Sequence, residues 1–205
     1  MPVWDSQWDM VITVDVFIIF LQDYTPSMED NLHSSVMTTG IIESNFRIKN
    51  TLFRCIDVGG ARSERRKWFP TFDEVSAVFF FVPSNGFDQM LYEDGRTNRL
   101  EEGANLFQAI VNNKFFQATL FVVLFTKTDL LLEKIQHKNI RDHFPDFSGD
   151  PHNLDDVKQF LRTMFESRCL GDSSPRVLGY HFIATTNTED VKAVFDNHID
   201  SIIRS

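Results

Sequence analysis

Two unbroken apolar runs constrain this chain more than anything else in it. Residues 76–82 read Ser-Ala-Val-Phe-Phe-Phe-Val, and residues 119–125 read Thr-Leu-Phe-Val-Val-Leu-Phe. A strand with one wet face alternates apolar and polar side chains. A run without that alternation is buried on both faces, as in a parallel sheet covered by helices. Val177 to Ala184 is a third candidate strand. Asn45–Lys49 and Leu52–Asp57 flank a short polar turn and predict a hairpin.

Between the strands the apolar period changes. Arg96–Asn113 carries Leu100, Ala104, Phe107 and Val111 on one stripe. Leu154–Arg168 does the same with Val157, Phe160, Leu161, Met164 and Phe165. Thr188–Ile203 closes the series, with Thr188 as expected N-cap and Glu189 and Asp190 in the first turn. This alternation predicts an α/β fold, a mainly parallel sheet with helices on both faces. Ligands in such folds sit beyond the carboxyl ends of the strands. Asp57, the segment Thr126–Asp129 and Thr185 fall at those ends.

Bulk properties narrow the function. A length of 205 residues suits one domain or a domain with an appendage, and 42% hydrophobic residues, 21 of them Phe, suffice for a core. A net charge of −9 argues against nucleic acid as a partner. Cys55 and Cys169, each among apolar neighbours, are expected to be core thiols in a reducing compartment. The run Met10–Leu21 is too short and too acidic to span a bilayer, so no transmembrane segment is expected.

One segment carries chemistry. Residues 57–68 read Asp-Val-Gly-Gly-Ala-Arg-Ser-Glu-Arg-Arg-Lys-Trp: a strand end, two glycines that let backbone approach a ligand, then a charged stretch expected to be helical. It resembles switch II of the α subunits of heterotrimeric G proteins. The resemblance implies a Ras-like P-loop NTPase core binding GTP or GDP with Mg²⁺. Asp57, Val58, Gly59 and Gly60 then belong to the nucleotide site. Asp23 to Ile41 resembles switch I, with Thr38 as the Mg²⁺ ligand. Thr126-Lys127-Thr128-Asp129 resembles the guanine-specificity motif, in which the Asp129 carboxylate accepts from the guanine ring and the Lys127 stem covers the base. Thr126 stands where the family has Asn. Thr185 falls where a backbone N–H reads the guanine oxygen. Arg65 and Glu102 match a pair that joins switch II to the next helix.

Departures from the family matter as much. Ala61 replaces the Gln that orients the attacking water, and Ser35 replaces the arginine finger, with His33 two residues before it. No intact catalytic residue remains, so the expected class is GTPase with slow or no turnover. Pro70 should end the switch II helix early. Arg65, Arg66, Lys67 and Trp68 match the face that contacts the βγ dimer. Receptor and effector contacts are in doubt, because the resemblance covers residues 22–203 and omits the carboxyl tail. The sequence contains no Gly-x-x-x-x-Gly-Lys-[Ser/Thr] phosphate loop, and by the resemblance the family's first strand and most of its helical domain have no counterpart.

The expected organisation is a divergent segment 1–21 and an incomplete Gα-like core 22–205. The run Val11–Phe20, rich in β-branched and aromatic residues, is read as a strand replacing the missing first one in preference to a helix. Two functions follow. One is a guanine-nucleotide-binding protein of receptor signalling, cytoplasmic and held at the inner face of the plasma membrane by partners. The other is a non-enzymatic module binding βγ or an effector without nucleotide cycling.

Overall fold

The computed structural model describes residues 27, 38–48, 50–68, 70, 72, 75–170 and 177–204. They fall into two units, divided between Thr71 and Phe72. The expected replacement strand Val11–Phe20 and the positions Ser35 and His33 lie outside the described residues.

The first unit holds an antiparallel hairpin, β1 (Ile41–Ile48) and β2 (Thr51–Val58), paired from Ile41↔Val58 to Ile48↔Thr51. Its turn uses Asn50 at φ 65°, a left-handed geometry that asparagine tolerates. Phe46 and Phe53 stack across the pair at 5.9 Å. Both strands carry mostly exposed or half-buried side chains, and so Cys55 is exposed. This corrects the expectation of two core thiols: apolar neighbours along a strand do not bury a residue when the faces of its hairpin are open. Cys169 is half-buried, with Sγ 3.8 Å from the Tyr180 hydroxyl.

The second unit is a three-stranded parallel sheet in the order β3 (Ala77–Pro83), β4 (Leu120–Thr126), β5 (Val177–Phe182). Helices α1 (Arg99–Val111), α2 (Thr128–Lys134), α3 (Leu154–Glu166) and α4 (Thr188–Ile203) connect or follow its strands. All of β4 is buried, as its sequence requires. Its alternate side chains serve two cores. Phe121, Val123 and Phe125 join Phe107 of α1 and Leu161 and Phe165 of α3. Val122 and Leu124 join Ile183 and Val194 of α4. Helices therefore cover both faces of the sheet, and the α/β class read from the sequence is the class observed.

Helix starts follow side-chain capping. Asn98, Asn153 and Asn187 each accept from two backbone N–H groups of the first turn. For α4 this moves the cap from the expected Thr188 to Asn187. An asparagine carbonyl one residue earlier reaches the N–H groups of Glu189 and Asp190.

Candidate functional site

In the first unit, the end of β2 lies beside residues 38–40. The Gly59 N–H donates to the Gly40 carbonyl at 3.2 Å, extending the hairpin pairing one step past Val58. The Thr38 hydroxyl reaches the Asp57 carboxylate at 3.5 Å. Gly40 has φ 77°, which favours glycine. Gly59 is buried, and a Cβ there would stand 2.6 Å from the Thr38 carbonyl oxygen and 2.9 Å from Glu64 Cγ. The close approach expected between this glycine and a ligand is thus used inside the chain. Gly60 remains exposed.

The charged helix expected after Gly60 is not formed. Residues 61–64 make a turn and Arg65–Lys67 a single 3₁₀ turn, closed by Lys67 N–H to Glu64 and Trp68 N–H to Arg65. Pro70 stands too near for an α-helix to propagate: it lacks an N–H, and its ring excludes the helical carbonyl four residues back. The turn folds back on its own start instead. Arg65 Nε donates to the Gly60 carbonyl at 3.2 Å, and the Trp68 indole N–H donates to the Gly59 carbonyl at 2.9 Å. Trp68 is only 8% exposed, so its ring braces this turn, while Arg66 is exposed. Ala61 is half-buried, and its carbonyl accepts from the Glu64 N–H.

Sequence reasoning missed Glu64. Its Oε2 accepts from the Gly40 N–H and from Lys67 Nζ, both at 2.6 Å. These bonds and the nearby cations hold its carboxyl below the usual carboxylate range, with the Lys67 bond the largest cause. The available signal was the position of a carboxylate three residues before a lysine in a turn.

In the second unit, the carboxyl ends of β4 and β5 are stitched together. Thr128 gives its N–H (3.4 Å) and its hydroxyl (3.1 Å) to the Ile183 carbonyl, and the Ile183 N–H donates to Phe125 at 2.9 Å. Ser84, just past β3, donates to the Thr126 carbonyl at 2.7 Å, and the Thr126 hydroxyl is 3.5 Å from the Val82 carbonyl. Two threonines and Ser84 thus tie this loop to its neighbours, Thr128 through both its N–H and its hydroxyl to the residue just past β5. Lys127 takes a left-handed conformation, φ 57° and ψ 39°, and starts α2. Asp129 is exposed in the first turn of α2, and Thr185 is exposed in the turn after β5.

Lys134, at the end of α2, is the fixed point beneath this edge. Its ammonium donates to Asp88 at 2.6 Å and to the Asn85 carbonyl at 2.8 Å, and lies 5.6 Å from the centroid of the Phe87 ring. Asp88 and Lys134 side chains are 15% and 17% exposed, shielded enough for the pair to be worth more than a solvated one. The sheet edge thus brings together Thr126, Lys127, Asp129 and Thr185. The hairpin end brings together Thr38, Asp57, Val58, Gly59 and Gly60. Arg65 and Glu102 fall in different units.

Among the described residues, no helix is long and apolar enough to cross a membrane, and no three His, Cys, Asp or Glu side chains cluster as a metal site. The family described as "G-protein alpha subunit" matches residues 10–203. Guanine nucleotide-binding protein subunit alpha-13 of Mus musculus is 46% identical over 181 residues, which cover 88% of this chain and 48% of the relative. Subunit alpha-12 of Homo sapiens is 44% identical over 182 residues, 89% of this chain and 47% of the relative. The G(o) subunit alpha of Geodia cydonium is 43% identical over 185 residues, 89% and 51%. The chain spans about half the length of these curated relatives.

Proposed function

The chain belongs to the family of G-protein α subunits, and from that premise we propose that it binds guanine nucleotide in receptor-coupled signalling and hydrolyses it poorly. The observation that carries the reading is the stitched edge of β4 and β5. Thr128 bonds the Ile183 carbonyl, so the exposed Asp129 and the Thr185 turn stand at adjacent strand ends. A carboxylate there suits the paired N–H donors of a guanine ring, which adenine lacks. The Thr185 backbone N–H suits the ring oxygen, and the Lys127 stem offers apolar cover for the base.

Mg²⁺ takes oxygen ligands and keeps several waters, needing only one or two from protein. Thr38 and Asp57 offer a hydroxyl and a carboxylate oxygen 3.5 Å apart, a hard donor set that fits the ion. Thr38 would hold it directly, with Asp57 beside it. When bound, the ion offsets phosphate charge. Of the chain's own residues, the exposed Gly60 would offer backbone to a phosphate at the end of β2, with Val58 and Gly59 shaping that strand end, and Thr126, Lys127, Asp129 and Thr185 would select a base at the ends of β4 and β5.

Slow turnover follows from two side chains. The Ala61 methyl cannot orient a water, and Ser35 supplies no positive charge. An arginine finger is worth about 10³–10⁵ in rate, a magnitude known for G-protein α subunits and their small relatives rather than measured on this chain. The exposed Arg66, flanked by the half-buried Arg65 and Lys67, is read as the βγ-facing surface, with Trp68 bracing the turn that carries them. Such partners would keep a cytoplasmic chain at the plasma membrane.

A second reading, an interaction module that binds βγ or an effector without cycling, is favoured by one feature. These 205 residues contain no phosphate-loop motif, the usual source of donors for the β and γ phosphates. Titration of a fluorescent GTP analogue with Mg²⁺ separates the two. Micromolar binding that competes with GDP but not ADP, and weakens at least tenfold in Asp129→Ala, supports the first. Binding weaker than millimolar leaves the second.

A further inference from the structure

Gly40 is gripped on both of its backbone polar groups by the segment that follows β2. Its carbonyl accepts from the Gly59 N–H at 3.2 Å, and its N–H donates to Glu64 Oε2 at 2.6 Å. The same oxygen accepts from Lys67 Nζ at 2.6 Å, which fixes the carboxylate from its far side. Glu64 comes this close only because Gly59 has no side chain: a Cβ there would sit 2.9 Å from Glu64 Cγ. The Glu64 side chain is 14% exposed, so water competes weakly for it. The turn that carries Glu64 is itself held down by Arg65 on the Gly60 carbonyl and Trp68 on the Gly59 carbonyl. A charge-assisted bond to a backbone N–H is about twice as strong as a neutral one.

We propose that Glu64 is an internal latch that joins residues 38–40 to residues 59–67 through the chain's own atoms, making the joined arrangement the resting state of this unit. The two stretches are those assigned above to phosphate sensing, so the consequence for signalling rests on that reading, while the latch does not. With the reading, the latch gives a definite regulatory outcome. A switch already closed by its own carboxylate changes little when a terminal phosphate arrives, and the two nucleotide states are poorly distinguished.

The test is amide hydrogen exchange on the ligand-free full chain, resolved at Gly40, in the wild type, Glu64→Ala, Glu64→Gln and Lys67→Met. Exchange at Gly40 should accelerate at least tenfold in Glu64→Ala. It should accelerate severalfold in Glu64→Gln, which keeps an acceptor but loses the charge, and about twofold to threefold in Lys67→Met. Amides paired between β1 and β2, such as those of Phe46 and Phe53, report whether the hairpin unit survives. Unchanged Gly40 exchange in Glu64→Ala with the hairpin still protected overturns the latch. If hairpin protection is lost in that variant, Glu64→Gln decides on the same terms: acceleration at Gly40 supports the latch and none overturns it. A wild type that fails to bind the GTP analogue removes the nucleotide reading and leaves the latch standing, so the two failures are distinguishable.

Discussion

His181 of β5 and His198 of α4 meet with their Nε2 atoms 2.7 Å apart, one imidazole donating to the other. Gly179 admits the pair, since a Cβ there would lie 2.7 Å from His181 Nε2. The hydrogen bond needs at least one neutral ring. Burial lowers the pKa of both, and for His181 the neighbouring His198 charge lowers it further. Each folded value is therefore below its unfolded value. As pH falls through about 6.5, the unfolded chain takes up protons that the folded chain refuses. The contribution to stability is complete above that pH, and declines below it until the lowered folded values are passed. Urea midpoints should fall between pH 7.5 and pH 5.5, before most carboxylates titrate. The fall should be smaller in His198→Gln, which removes one titrating partner. Identical slopes in the two proteins would show that the pair does not carry this dependence.

Phe165 is the central aromatic of the larger core. It is fully buried, edge-on to Phe125 at 5.1 Å, and 5.5 Å from Phe107 and 6.5 Å from Phe80. Truncation to Ala removes those contacts and leaves a cavity that the surrounding rings cannot fill by rotation. The expected cost is about 3–5 kcal/mol. Phe165→Leu, which retains most of the volume, should cost less than half as much. Chemical denaturation of both variants checks this, and a loss under 1 kcal/mol for the Ala variant would mean that the cluster relaxes freely.

The second unit was largely legible in the sequence because its signals are redundant. β4 is apolar at every position and is buried at every position. The helices α1, α3 and α4 carry apolar stripes that end within a few residues of the observed bounds. Helix α2 leaves no signal in the sequence, because Thr128–Lys134 is too short for a period to emerge. The α4 cap was displaced because Thr-Thr-Asn-Thr offers four capping side chains in a row, and only geometry chooses Asn187. The first unit was less legible. Its hairpin was found, but a charged run after two glycines fits a helix as well as a folded-back turn. Nothing in the pattern shows that Glu64 turns inward to Gly40. Local periodicity reports burial in regular elements, not a side chain that bonds the backbone of a distant loop.

Lys127 offers a separation of stability from binding. It occupies φ 57° and ψ 39°, where a side chain crowds its own carbonyl at a cost of about 1–2 kcal/mol. Glycine relieves that strain but loses more entropy on folding, about 0.5–1 kcal/mol. The backbone contribution of Lys127→Gly to stability should therefore be between zero and a gain of about 1.5 kcal/mol. Lys127→Val, β-branched, should lower it by about 1 kcal/mol or more. Affinity for the GTP analogue should fall in both, because the stem proposed to cover the base is shortened. A glycine variant that binds as well as the wild type would remove Lys127 from the base site.

Slow hydrolysis is the part of the proposed function that substitution tests most directly. Ala61 lies at the start of the turn after Gly60, half-buried, with its carbonyl engaged by the Glu64 N–H. Its backbone role survives any side chain, so Ala61→Gln should fold normally and add a carboxamide able to orient a water. Ser35→Arg restores a charge that the transition state can use. Each change alone should raise single-turnover hydrolysis by about tenfold or more, and the pair together by about 10³ or more. These magnitudes belong to the wider class of G-protein chemistry, not to this chain. The rate must be read with nucleotide saturating, so that affinity does not masquerade as turnover. If nucleotide binds and the double variant hydrolyses no faster than the wild type, the two substitutions are not the cause of slow turnover.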